Sequence, residues 1–430
     1  MNKISRTLLA ATAIGAIGFV SAAHAGGFAI REQSTSSQGA SFAGNAAGGD
    51  LSSMFWNPAA LAASEGMNAE SHYAIFFGNT ELEADGGSLL LVNPTASRSS
   101  GDIAEEAVIP STYLGAQLSS NLWAGLALNS PFGLVTKPED RTWVGAQIAR
   151  RTKVFTINAN PNIAYQIMPG VSIGAGVQIQ YMEAELKLGT SAAGPSAVFN
   201  GDDIGFGGTF GVYFNPVEGT QIGIGYRSQI SHTLEGNLGI EGGPVQARNN
   251  VDLTTPDTIT VSLRQAVTPQ MRVMATFEWA NWADFDQVVL TDLTSIGLPP
   301  GTTGTLEANW HNAWFASIGA EFDMSDVLTV RGGIAYEESP IQNASERLTP
   351  VPDSDRIWVS VGGTYRFSEH TKFDFAYTHV FVDEARFDRT SIVSNLLTLQ
   401  GTAETDVNIV SFSLKSKLDE NHPIFGTLFQ

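Results

Sequence analysis

Apolar and polar residues alternate with a period of two along most of this chain. Between residues 356 and 367, Ile357, Val359, Val361, Tyr365 and Phe367 share one parity, while Arg356, Ser360, Thr364 and Arg366 take the other. Between 271 and 279, Met271, Val273, Ala275, Phe277 and Trp279 oppose Arg272, Thr276 and Glu278. Side chains of a strand point alternately to opposite faces, so each such segment carries one apolar and one polar surface. A soluble sandwich also alternates, but it buries its apolar faces against each other. Here the polar faces carry Arg, Glu and Gln and the apolar faces often end in aromatics. That is the pattern of a transmembrane barrel with lipid outside and a polar lumen.

About fourteen such segments are predicted, an even number as in bacterial barrels. They lie near 67–78, 109–119, 121–134, 153–167, 171–188, 203–215 and 219–235, then near 255–268, 270–282, 311–323, 326–338, 355–367, 371–384 and 406–418. Short turns such as Met168-Pro169-Gly170 and Thr268-Pro269-Gln270 alternate with long polar connections such as 79–108, 135–152 and 283–310. Short periplasmic turns and long external loops are the outer-membrane arrangement, and closure leaves no strand edge unpaired. The predicted fold is all-β: an antiparallel transmembrane β-barrel over residues 67–418. Tyr73, Tyr113, Trp123, Trp279, Trp282, Trp310, Trp314 and Trp358 suit interfacial girdles, with the lumen as the other place for some of them.

Two stretches do not alternate. Residues 1–25 have Lys3 and Arg6, an apolar run from 8 to 20, and Ala23-His24-Ala25, which together read as a secretory signal. The run falls short of the ~20 apolar residues that a spanning helix needs. Residues 26–66 are rich in Gly, Ala, Ser and Asn, yet contain Phe42, Leu51, Met54, Phe55 and Trp56. A free arm would leave those side chains in water, so the segment is predicted to be a small, partly helical plug inside the barrel. Within it Asn57 suits a helix cap, with Pro58 at the first helical position and Ala59 next. Residues 419–430 either extend the last strand, with Phe429 near its end, or form a periplasmic tail.

Composition narrows the chemistry. The chain has no Cys, which excludes a disulfide scaffold, and a formal charge of −20, which argues against nucleic acid as a partner. The seven His are scattered without metal-ligand spacing, so neither metal nor cofactor is expected. Ser231 and His232 are adjacent and, on a strand, point apart, so no enzyme is expected. In the third segment Pro131 cannot donate to a ladder and Gly133 weakens it. Ser130-Pro131-Phe132-Gly133 therefore marks either a kink or the end of that strand.

Several of these residues also carry a family resemblance. The stretch GGFAIREQS…GASFAGNAAGGDLSSMFWNPAAL, the motif Asn129-Ser130-Pro131-Phe132-Gly133-Leu134, Thr255-Pro256-Asp257, and Pro352-Asp353-Ser354-Asp355-Arg356 resemble the FadL family of outer-membrane transporters. The motifs recur in order over the whole mature chain. The resemblance implies a fourteen-stranded barrel closed by an N-terminal hatch and a monomer in the outer membrane. It implies a cargo of long-chain fatty acids, or else aromatic or alkane hydrocarbons. It places Gly26, Gly27 and Phe28 at the ligand pocket, and Asn57, Pro58 and Ala59 in the hatch. It makes Ser130 to Gly133 a kink through which ligand leaves sideways into membrane lipid. Family basic residues near the carboxylate align by eye with Glu183 and His311, so Glu183, Lys187 and His311 are the candidate head-group contacts. The tail should dominate affinity: at ~0.8 kcal/mol per buried CH₂, eight methylenes give roughly 6 kcal/mol. A general diffusion porin remains the alternative in the same fold.

Overall fold

The computed structural model describes residues 26–191, 194–391 and 396–418; the predicted signal (1–25) and tail (419–430) lie outside the described residues. The alternating segments form fourteen antiparallel wall strands. These are β1 (Met67–Gly86), β2 (Ala107–Ser119), β3 (Leu122–Asn129, resumed at Gly133–Thr136), β4 (Arg151–Met168) and β5 (Val171–Gly189). Next come β6 (Ser196–Phe214), β7 (Thr220–Arg227 and Ile230–Ile240), β8 (Gln246–Thr255 and Thr258–Ala266), β9 (Met271–Ala280) and β10 (Ala313–Asp323). The last four are β11 (Leu328–Glu337), β12 (Arg356–Arg366), β13 (Thr371–Val382) and β14 (Thr398–Leu418). Each strand pairs with the next in sequence. β14 then pairs back on β1, from Met67↔Leu418 to Gly86↔Gln400, and closes the sheet. Closure is what lets strands cross a bilayer, because it leaves no open sheet edge facing lipid.

β1 and β14 run further than the alternation predicts. Their outer halves carry Thr80, Glu81 and Glu83 against Thr402, Glu404 and Thr405, so the apolar signal fades while the backbone pairing continues. The parity itself holds. Phe206 and Ile318 face outward and keep 67% and 64% of their surface exposed, as do many smaller neighbours around the wall. So large an apolar band belongs against lipid. The aromatic residues divide differently from a pair of girdles. Tyr73 stacks on the outward Phe412, and Trp314 on Phe277, but Tyr113, Trp123, Trp282, Trp310 and Trp358 are buried inside.

Residues 26–66 fill the lumen. They form a four-residue helix, α1 (Thr35–Gln38), and two 3-10 turns, Leu51–Phe55 and Pro58–Ala63. Asn57 caps the second turn by accepting from Ala59 N at 3.0 Å. Its amide also donates to Ala46 O (2.9 Å) and to Val212 O of β6 (3.0 Å), so the cap fastens the hatch to the wall. Further anchors are Glu70, which accepts from Leu51 N and Ser52 N, and Lys415, which pairs with Asp50 at 2.7 Å.

The wall makes room for this segment with glycine. A β-carbon at Gly211 would overlap Asn57, one at Gly223 would overlap Ala46 O, one at Gly225 would overlap Trp56 O, and one at Gly333 would overlap Ala40 O. Hatch backbone thus lies directly on wall backbone. Replacing Gly225 with Val should leave the barrel assembled and cost about 1–3 kcal/mol by overpacking. The expected readout is a lower melting temperature in detergent together with higher conductance in planar bilayers as the hatch loosens. An unchanged conductance would mean that the contact does not hold the hatch shut.

Candidate functional site

β3 is interrupted between Asn129 and Gly133. Asn129 pairs with Asn158 of β4 and Gly133 with Phe155, so four steps on β3 span three on β4, which makes a bulge. The carbonyls of Ser130, Pro131 and Phe132 and the amides of Phe132 and Gly133 all find partners, mostly from inside the barrel. Thr156 Oγ1 accepts from Phe132 N at 3.0 Å and donates to Phe132 O at 2.6 Å. Gln33 Nε2 donates to Ser130 O at 2.9 Å. Ile30 N donates to Pro131 O (2.8 Å) and Gly133 N donates to Phe28 O (2.9 Å), with Ala29 opposite Phe132 in an antiparallel bridge. The start of the hatch therefore acts as a short strand that mends the wall.

Gln33 is itself fixed. Its side-chain oxygen accepts from Ser111 Oγ at 2.7 Å and Asn129 Nδ2 at 3.3 Å, and its carbonyl accepts from the Tyr113 hydroxyl at 2.8 Å. Just before it, Phe28 sits in an aromatic cage. Its ring centroid lies 5.0 Å from Trp282, 5.5 Å from Phe285, 5.9 Å from Phe132 and 6.0 Å from Trp310. Such pairs add about 0.5–1.5 kcal/mol each beyond burial. Gly27 holds φ +68 with no space for a β-carbon beside the Trp310 and Trp282 rings, so this position requires glycine. Gly27 N donates to Asp353 at 2.9 Å and Gly26 N to Glu337 at 3.2 Å.

Phe28 lines one of two cavities here, and its neighbours Ala29 and Ile30 line the other. On the loop side is a chamber of about 90 Å³ lined by Leu134, Phe199, Leu234, Leu253, Leu290 and Leu348, with Arg389 at its edge. On the hatch side a smaller cavity, about 70 Å³, reaches Pro131 and Phe132 at the break in β3. An engineered apolar cavity of ~150 Å³ is what benzene occupies. Even a single aromatic ring therefore needs Phe28 or the loops to move before it can enter. The cations near these cavities differ in how they are compensated. Arg31, in the lower cavity, pairs with Glu278 (2.8 Å) and Glu337 (3.1 Å), and its guanidinium lies 3.8 Å over the Phe315 ring. Arg389 is buried and donates to the carbonyls of Ser345 and Glu307, and it makes no ion pair among the described residues.

The structure brings Gly26, Gly27 and Phe28 together with Ser130, Pro131, Phe132 and Gly133. Asn57, Pro58 and Ala59 lie apart from them against β5 and β6. Glu183, Lys187 and His311 do not line the chamber. On β5 Ala184 and Leu186 face it, so the alternation turns Glu183 and Lys187 outward, to Lys153 (2.9 Å) and Glu241 (3.0 Å). His311 is exposed beside Glu346. The strand parity carried that signal, and it outweighs an alignment by eye. No local pattern marks Gln33, Thr156 or Arg389: Gln33 reaches Ser130, 97 positions away, Arg389 reaches Glu307, 82 away, and Thr156 bonds to Phe132 at the break in the adjacent strand, 24 away.

A closed barrel, a lumen stopped by its own N-terminal segment and a buried apolar chamber define an outer-membrane transporter of hydrophobic compounds. The chain belongs to the outer membrane protein transport family OMPP1/FadL/TodX, whose model matches residues 17–417. It is 24% identical to a long-chain fatty acid transport protein of Escherichia coli, over 84% of this chain and 88% of that one. Its fold is similar to a Pseudomonas aeruginosa FadL homologue (TM-score 0.82, 22% identity, covering 91% of this chain and 100% of the other). It is also similar to the toluene transporter TbuX of Ralstonia pickettii (TM-score 0.63, 16% identity, covering 90% and 100%).

One hatch group should register pH. Glu32 is buried with both carboxyl oxygens unbonded, and burial pushes its pKa up to about 8. Because the folded value lies above the unfolded one (~4.3), its contribution is fully present below about pH 4 and is lost as pH rises through 8. The melting temperature in detergent should therefore fall between pH 5 and 9, and Glu32→Gln should flatten that slope. Equal slopes in the two proteins would show that Glu32 does not titrate there.

Proposed function

We propose that this transporter takes up long-chain fatty acids and releases them sideways into the outer membrane. The observation that carries the reading is that Phe28 both floors the apolar chamber and, through its carbonyl, mends the broken strand. A ligand that displaces Phe28 frees the patch at Pro131 in the same movement. The cargo then meets a gap in the wall and passes from chamber to lipid without entering water. Arg389 favours a fatty acid over a neutral hydrocarbon. A buried guanidinium whose partners are all neutral carbonyls gains from a carboxylate, since charge-assisted bonds are about twice as strong as neutral ones.

Lateral release is tested by replacing Pro131 with Val and Gly133 with Thr, which should straighten β3. Uptake of labelled oleate by cells relying on the variant should fall several-fold at equal surface expression, and unchanged uptake would sink the sideways exit. Ligand class is tested separately with Arg389→Gln, binding measured in detergent. Oleate affinity should drop about tenfold, the equivalent of ~1.4 kcal/mol, while affinity for a neutral alkylbenzene stays level. A parallel loss for both ligands would assign Arg389 to loop structure, and tighter binding of the alkylbenzene by the parent would favour hydrocarbon uptake.

A further inference from the structure

A further cavity lies outside the transport path. It measures about 610 Å³ and sits between the loop joining β3 to β4 and the outer ends of β4, β5 and β6. Lys137, Arg141, Arg150, Arg151 and Lys187 line it, against Glu105 and Glu241. That surplus of positive charge stands out in a chain with 23 basic and 43 acidic residues. A cleft lined by one sign of charge concentrates ions of the other.

Several of the donors are unspent. Arg141 is exposed, and its guanidinium makes no hydrogen bond or ion pair among the described residues. Arg151 gives Nη1 to Glu185 at 2.9 Å, but its buried Nε has no acceptor. Lys137 reaches Glu105 only at 3.6 Å. Arg150 has a different task, since it donates to the carbonyls of Ser191 and Gly194 and so fixes the cleft's far wall.

The outer surface below the cleft says what kind of anion arrives. Arg151 and Lys187 face each other in register, as do Ile157 and Tyr181 lower down, and Ile179 follows opposite Ala159. Ile157 and Ile179 share the outward parity and are each 41% exposed. From Ile157 up to Arg151 is six residues of strand, roughly 20 Å at ~3.3 Å per residue. Over that rise the outer face changes from apolar to charged. A lipid standing beside the barrel would lay its acyl chains on the isoleucines and raise its head group to the cleft.

We propose that this cleft binds a phosphate group carried by a lipid of the outer leaflet. Arg141 would supply the planar donor pair that suits phosphate oxygens, with Arg151, Lys137 and Lys187 adding charge. This goes beyond the transport reading and does not depend on it.

The test titrates the purified full-length protein in detergent with bisphosphorylated lipid A, with its dephosphorylated form, with inorganic phosphate and with oleate. Binding is followed by native mass spectrometry. Lipid A should bind the parent at least about tenfold more tightly than it binds Arg141→Gln/Arg151→Gln, and dephosphorylated lipid A should bind both proteins equally weakly. Arg141→Gln alone, at an exposed side chain with no hydrogen bond or ion pair among the described residues, should already weaken lipid A several-fold without changing the melting temperature. Equal binding of lipid A to parent and variants overturns the site. Inorganic phosphate displacing lipid A at matched concentration overturns the lipid as its source, and oleate displacing it more readily reassigns the cleft to cargo capture.

Discussion

A backbone amide in the hydrocarbon layer has no water to bond, so a break in the wall of a membrane barrel must be mended by the protein itself. Much of this structure follows from that one constraint. The interruption of β3 is compensated by Thr156 from the neighbouring strand, by Gln33, and by the main chain of Phe28 and Ile30. Gln33 in turn needs Ser111, Asn129 and Tyr113 to hold it. A small polar network thus converges on one irregular stretch of an otherwise regular sheet. The aromatic cage around Phe28 adds the packing that keeps the patch seated.

The hatch is held by a different principle. Its apolar side chains pack on one another, as Phe55 and Phe42 do on Trp56, but in one cluster with wall residues such as Phe315 and Trp358. What fixes it is contact with the wall, where Gly211, Gly223, Gly225 and Gly333 let two backbones meet directly. Glu70 and Asn57 then satisfy main-chain groups that such close approach would strand, and Lys415 pairs with the Asp50 side chain. Shape and polarity are therefore divided between the two parts, with the wall supplying both the space and many of the bonds.

How legible this was from residues alone depends on the range of the interaction. The barrel, its strand number and the alternation of short and long connections were readable because the period of two is local and repeats along the chain. Pro131 and Gly133 were readable for the same reason, as a local conflict with a strand. The inward turn of Trp282 and Trp310 was left open, because an aromatic near a strand end suits lipid and lumen alike. Glu183 and Lys187 were assigned against the parity of their own strand, where Ala184 and Leu186 already face the chamber. Gln33 and Arg389 were out of reach, since nothing local marks a polar side chain whose partners sit on distant elements, and Thr156 looks like any other strand threonine until the break beside it is seen.

The glycine-lined contact between hatch and wall also has a consequence for the order of folding. Gln38 bonds to the carbonyl of Ile409, 371 positions away, and Lys415 bonds to Ser36, 379 positions away. Contacts of such sequence separation form late, because chain closure must come first. The hatch precedes the wall in sequence, yet its seat is complete only when β14, the last wall strand, is in place. The segment that closes the pore is in that sense a passenger of the wall, dependent for its last contacts on the final strand of the chain.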